Sequence, residues 1–251
     1  MNYQTANKFL TEPRNKASKK IANNTCLVRE SQDEIAVKLH DTNVVTFHKD
    51  GSIVLNSGGW KTVTTKSRIN QYNDKVNIGQ VNSVWYVHFN RDGRYYGKSE
   101  LIFQDGMKIS EAGEVTGALP VGYVKIIQKH KKAINGYISK YLDKLFAGKL
   151  PQPGPGDCWY CSMRTESGQS LGDISGNDHI KQHIKENYHV PSLLMNAIEK
   201  HPVAPVAKWS LAYIWGDEPL ETMPEYIKNF AKESFRKSMR AYLYHEFNIA
   251  K

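Results

Sequence analysis

The chain is short of several things, and each shortage excludes a class of function. It holds 3 cysteines in 251 residues, an odd and sparse count that argues for a reducing compartment rather than a disulfide framework. No segment approaches the roughly eighteen consecutive apolar residues of a membrane-spanning helix, and no apolar signal core stands at the N-terminus, so no membrane partner is expected. No Ser/His/Asp arrangement, phosphate-cradling glycine loop or carboxylate pair appears at a readable spacing. No catalytic residue is therefore assigned, and the reading leans away from an enzyme. Acids are the scarcer charge, 25 against 34 Lys and Arg for a net +9, which favours an acidic partner, nucleic acid ahead of a membrane surface.

What is present is concentrated between Asp157 and Val190. Cys158 and Cys161 form a C-x2-C, and after seventeen mostly small, polar residues His179 and His183 form an H-x3-H. A C-x2-C turn aims two thiolates at one point, and histidines four apart share a helix face, so the two halves predict a tetrahedral zinc site. Ser175 or Asn177 is placed to cap that helix, Ile180 and Ile184 form its apolar row, and His189 is a spare ligand outside the i, i+4 register. Pro151, Pro153, Gly154, Pro155 and Gly156 precede the cysteines as a linker, which speaks against a thioredoxin-like redox pair. The gap exceeds the roughly twelve residues of DNA-reading fingers. The ion is expected to act as a structural staple.

Residues 1–24 carry Lys8, Arg14, Lys16, Lys19 and Lys20 against one acid, Glu12, and read as a basic, partly ordered arm. Alternating segments then predict strands over 25–29, 34–39, 44–48, 53–56 and 84–90. The pairs Asp50-Gly51, Asp92-Gly93 and Asp105-Gly106 are hairpin signals. The pattern is that of a β-meander or small barrel. From Gly122 to Gly148 the period becomes helical, with Tyr123, Ile127, Ile134, Ile138, Tyr141 and Leu145 on a side expected to pack on the sheet. Lys125, Lys129, Lys132, Lys140 and Lys144 lie near the opposite side. Helical runs begin at Pro191, Val206 and Pro224, the last carrying Lys228, Lys232, Arg236 and Arg240 at four-residue intervals. Both rows suit a solvated face and a phosphate-tracking surface equally. The expected fold is α+β, divided into an arm (1–24), a β-rich domain with a closing amphipathic helix (25–148), a linker (149–157) and a zinc-stapled helical domain (158–251).

Two stretches pair aromatic with basic residues in the manner of single-stranded nucleic-acid platforms, where bases stack on rings and cations follow phosphates. One is Trp60 with Lys61, Lys66 and Arg68; the other is Trp85 and Tyr86 beside Arg91, Arg94, Tyr95, Tyr96 and Lys98. The core or rim of a sheet calls for the same aromatics. His40, His48 and His88 recur on predicted strands without ligand spacing.

The run from Asn24 to Tyr72, above all V-x-L-H-x-T-x-V-V-x-F-H-x-D-G-x-I-x-L-N-S-G-G-W-K-T-V-T-T-K-x-R-I-N, resembles a segment found in proteins of tailed bacteriophages. The C-W-Y-C…D-H…H stretch resembles a second segment of such proteins. The resemblance implies a phage origin and a host-cell compartment, the host cytoplasm, and carries over no catalytic residue. Asp178-His179-Ile180 after a C-x2-C also resembles the D-H-I of HNH nucleases, which implies a catalytic role for His179, with Asn196 and His201 downstream. The expected function is non-enzymatic nucleic-acid binding with zinc as structural cofactor. The alternatives are a factor that binds a host protein and an HNH-like metal nuclease. Nothing in the patterning sets an oligomeric state.

Overall fold

The structure, a computed structural model, describes residues 1–11, 17–91, 94–95, 101–174 and 178–250. The chain divides into two units, Met1–Ile127 with Ile249–Lys251, and Gln128–Asn248. The fold is α+β, with antiparallel sheets in the first unit and helices in the second.

The first unit begins with α1 (Tyr3–Phe9), capped by the Asn2 side chain, and β1 (Ser18–Ala22). A meander follows through β2 (Thr25–Arg29), β3 (Glu34–Leu39), β4 (Thr42–His48) and β5 (Ile53–Leu55). Next come α2 (Val63–Tyr72), β6 (Val76–Val81), β7 (Val84–Arg91), β8 (Arg94–Tyr95), β9 (Leu101–Ile102), β10 (Met107–Ile109), β11 (Val115–Thr116) and β12 (Leu119–Pro120). They form two sheets, one ordered β1-β2-β3-β4-β5-β10-β11 and one ordered β12-β9-β7-β6 with β8 on β7. The meander is present, and among the described residues neither sheet closes on itself as a barrel would.

Residues 1–11 and 17–24 do not form an arm. Tyr3, Ala6 and Leu10 are buried in the core that Leu27, Ile35, Phe47, Ile69, Trp85 and Phe103 build, and β1 pairs along β2. Lys19 and Lys20 take part through backbone pairing with Leu27 and Cys26, which needs no apolar side chain. Arg14 and Lys16 lie outside the described residues, as do Asp92, Gly93, Tyr96, Lys98, Ser175 and Asn177. The tightest hairpins turn at Asn24, His40 and Asn82-Ser83, all with positive φ. Asp50-Gly51 joins β4 to β5 as expected, but Asp105-Gly106 links strands of different sheets and closes no hairpin between them.

The second unit holds most of α3 (Val124–Leu145) and α4 (Trp159–Ser162), α5 (Leu171–Ile174), α6 (Asp178–Glu186), α7 (Pro191–Lys200), α8 (Pro205–Trp215) and α9 (Glu225–Glu246). Proline opens α7 and α8 at the first turn, where its missing N–H costs nothing. The expectation that the long helix closes the β domain is corrected from Gln128 onward. Ile134, Tyr137, Ile138, Tyr141, Leu142 and Leu145 are buried in the helical unit, where Phe146 packs on Phe235 of α9. Tyr137 and Tyr141 donate hydrogen bonds to the Tyr188 and Val190 carbonyls at 2.8 and 3.0 Å. Tyr123 stays 41% exposed. The 149–157 stretch is likewise built in rather than a free linker: Leu150 is buried and its carbonyl accepts from Trp215 Nε1 at 3.0 Å.

Candidate metal centre

Cys158 caps the single turn of α4, and Cys161 lies inside that turn, so both thiols face one side. The chain then makes a small hairpin, bridged between Arg164 and Ser170, and reaches α6. There His179 and His183 occupy the same face one turn apart. Their Nε2 atoms are 3.0 Å from each other. Cys158 Sγ lies 3.3 Å from His179 Nε2, and Cys161 Sγ lies 3.5 Å from each imidazole Nε2. All four ligand atoms fall within 4.8 Å of one another.

These separations can be compared with a tetrahedral ion. Zn–S near 2.3 Å and Zn–N near 2.0 Å at tetrahedral angles imply S···N of about 3.5 Å and N···N of about 3.3 Å. The donor set fits a metal ion that accepts two thiolates and two imidazoles, and all four coordination positions are supplied by the chain. His183 is buried and its pKa is pushed down to about 4, first by burial and then by His179. Burial also lowers His179. Both imidazoles are thus neutral at physiological pH, the form that binds metal.

The surroundings hold the ligands in place. Asp157 accepts from Cys158 N at 2.7 Å and from Ser192 N, in the first turn of α7, at 2.8 Å. Asn196 Nδ2 donates to the Cys161 carbonyl at 3.0 Å and Arg164 Nη1 donates to it at 3.2 Å. Arg164 Nη2 reaches Asn196 Oδ1 at 2.7 Å. Tyr188 stacks on His183 with centroids 5.1 Å apart, and Tyr160 lies 5.1 Å from His179. A side chain at Gly172 would press on Cys161 Sγ. Sequence reasoning missed Asp157, Arg164 and Ser170, whose roles depend on the hairpin and on α7, although Asp157 stands beside the first ligand.

His189 is not in the cluster. It stacks on Tyr137 with centroids 4.6 Å apart and touches Lys144 Nζ at 3.2 Å. His179 sits in the first turn of a helix rather than at the end of a strand, and its Nε2 is committed to the cluster. Asn196 serves the Cys161 carbonyl and His201 caps α7. The placement an HNH nuclease requires is therefore absent among the described residues.

The basic candidates scatter. Trp60 is 39% exposed and walls a cleft of about 350 Å³ with His40, Asp41, Thr42 and Ser57. An adjoining cleft brings Arg68 to the same tryptophan. Lys61 is not on that surface: it is buried, its Nζ donates to the Phe103 carbonyl at 3.4 Å, and burial takes its pKa down to about 8. Lys66 turns to Gln80 Oε1 at 3.0 Å. Trp85 is a core residue packed on Phe103. On α3, Lys125, Lys129, Lys132, Lys140 and Lys144 are all exposed. The α9 row is half-buried and mostly spent on α3, with Lys232 on Asp143 at 2.8 Å, Arg236 on Ser139 at 3.1 Å and Arg240 on Asn135 at 3.1 Å. Lys228 pairs with Glu225 at 3.9 Å. Among the described residues no helix is long and apolar enough to cross a membrane.

No curated protein and no solved structure matches this chain. A family match covers most of the β unit, including the Ser-Gly-Gly-Trp loop and α2, and the metal centre lies outside it. Over residues 4–110 the chain matches the family described as Kyanoviridae Gp96 protein, a phage family.

Proposed function

We propose that this is a non-enzymatic phage protein of the host cytoplasm that binds nucleic acid along α3, with zinc stapling the helical unit. The observation that carries the reading is the exposed lysine side of that helix. Lys125, Lys129 and Lys132 are exposed, and among the described residues none of them pairs with a carboxylate. Lys140 and Lys144 rest on neutral groups, Asn187 and His189. The α9 cations, by contrast, are engaged, three of them with α3 and Lys228 with Glu225 of its own helix. A row of cations free of acids is what neutralises phosphates. A structural role for zinc is supported by the four protein ligands, which leave no position for a water nucleophile.

Five lysine–phosphate contacts predict a slope of log K against log salt of about −4 to −5 on duplex DNA. Fluorescence anisotropy with single-stranded DNA, duplex DNA and RNA measures it. Changing Lys129 and Lys132 to Glu should flatten the slope by about two. No binding at low salt, or a slope unmoved by that double change, overturns the reading. A protein partner in the host is the second reading, favoured by Trp159, Tyr160 and Tyr188, which are 57%, 47% and 48% exposed around the metal centre. Salt-insensitive capture of one host protein, lost when Trp159 is changed to Ser, would mark that reading as the right one.

A further inference from the structure

Helix α8 has the composition of a buried helix and the exposure of a surface one. Of its residues PVAKWSLAYIW only Lys208 and Ser210 are polar, yet only Ala207 and Ser210 are buried. A helix that is apolar on all sides normally lies inside a core. Here Trp209 is 66% exposed, and Pro205, Lys208, Ala212 and Gly216 are exposed with it. These positions recur at three- and four-residue steps, so they form one face. Exposed apolar faces of this kind mark association surfaces.

The charges at the two ends of that face identify what covers it. Lys208 stands at the start, Asp217 and Glu218 stand just past the end, and all three are exposed. Among the described residues none of the three has an ion-pair partner. A surface with a cation at one end and anions at the other is complementary to itself when turned end for end. Small residues lie between: Ala212 at the middle and Gly216 at the C-cap. A Cβ on Gly216 would collide with the Ala212 carbonyl, so that position stays bare.

We propose that the protein self-associates through α8, two copies of the helix lying antiparallel about a two-fold axis between Ala212 and Tyr213. That axis lays the start of one helix against the end of the other, with residue 209 opposite 216. Lys208 then stands at the end of the second copy where the chain leaves the helix with the exposed Asp217 and Glu218, and Trp209 covers the bare Gly216. Both contacts occur twice, as an isologous interface requires. A bulky indole in a hollow of small residues is the kind of central anchor that dominates interface energy. One short helix buries less than the roughly 800 Å² per partner of a standard interface, so the dimer is concentration-dependent.

The test is sedimentation equilibrium on the full, metal-loaded chain without nucleic acid, from about 1 µM to about 1 mM, the span of weak to moderate affinities. The wild type should pass from monomer to dimer across that range. Trp209→Ser should raise the dissociation constant by tenfold or more with an unchanged circular dichroism spectrum, since the side chain is exposed. Lys208→Glu and Asp217→Lys should each weaken self-association, and an equimolar mixture of the two should restore dimers, because both cross-pairs become opposite in sign. A wild type that stays monomeric throughout overturns the proposal. So does a dimer that ignores Trp209→Ser and the charge exchanges.

Discussion

Replacing Lys61 with Met is expected to stabilise the β unit at neutral pH, although it deletes a cation from a chain whose surface is rich in them. The ammonium lies beside Phe103, 7% exposed, and its pKa falls from 10.5 to about 8, chiefly through burial, with Asp105 opposing the fall. At about 1.4 kcal/mol per pH unit, this corresponds to about 3 kcal/mol by which folding disfavours the charged form. Loss of the hydrogen bond to the Phe103 carbonyl removes about 1 kcal/mol, leaving a net gain of about 2 kcal/mol at pH 7. The sign of the pH dependence follows from proton binding. Between about pH 8 and pH 10.5 the unfolded chain holds the lysine proton more often than the folded chain does, so wild-type stability from this group rises with pH. The advantage of the variant is therefore greatest below pH 8, vanishes about 1.5 pH units higher and reverses by about pH 10.5, where the lost hydrogen bond outweighs what remains. Urea unfolding of both proteins at intervals from pH 7 to pH 10.5 measures it, and the difference between them cancels the titration of other groups. A variant less stable than wild type at pH 7, or a difference that does not change with pH, would refute the reasoning.

The metal centre yields two further expectations. Titration with cobalt should fill the site with a single ion per chain and produce the intense visible bands of a tetrahedral thiolate–imidazole complex. Cys161→Ser should abolish those bands, whereas Cys26→Ser should leave them intact. Asp157→Asn keeps the shape but weakens the charge-assisted hold on Cys158 N and Ser192 N, and metal affinity measured by competition with a chelator should drop 10- to 100-fold, roughly the range for such supporting groups. In the β unit, Gly58 has φ +59° and a Cβ there would lie 2.7 Å from Thr42 Oγ1. Gly58→Ala should cost about 2 kcal/mol in urea unfolding, while Gly113→Ala, with no neighbour within 4 Å, should pay only the backbone part.

The Cys/His cluster was readable because the chemistry is local: a C-x2-C and an H-x3-H each bring their own pair together, and only the hairpin between them had to be supplied by folding. Strands β2 to β5 and β7 announced themselves by alternation, and α7 by the proline at its first turn. Strand β1 was concealed because its lysines join the sheet through their backbone, and β8 to β12 are too short to show a period. Periodicity in α3 revealed a buried face without saying what buries it. For the same reason four-residue spacing displayed the cations of α9 but not Asn135, Ser139 and Asp143 waiting opposite. Lys61 was misjudged because its environment is made by Phe103 and Asp105, some forty residues later in the chain. Asp105 also accepts from Ser57 N, Ser57 Oγ and Gly59 N, anchoring the Ser-Gly-Gly-Trp loop that presents Trp60.

Ala250 belongs to the core of the β unit, while residues 128 to 248 form the other unit. The helical unit is thus an insertion, and the β unit is contributed by two pieces of chain separated by the whole of it. During synthesis the β core cannot be completed when its last strand emerges; it waits until everything inserted has been made and Ile249 and Ala250 have left the ribosome. The order of events is therefore inverted relative to the N-terminal-first rule of ordinary two-domain chains. The helical unit can fold while its host is still unfinished, and faults in the insertion reach the β unit through time.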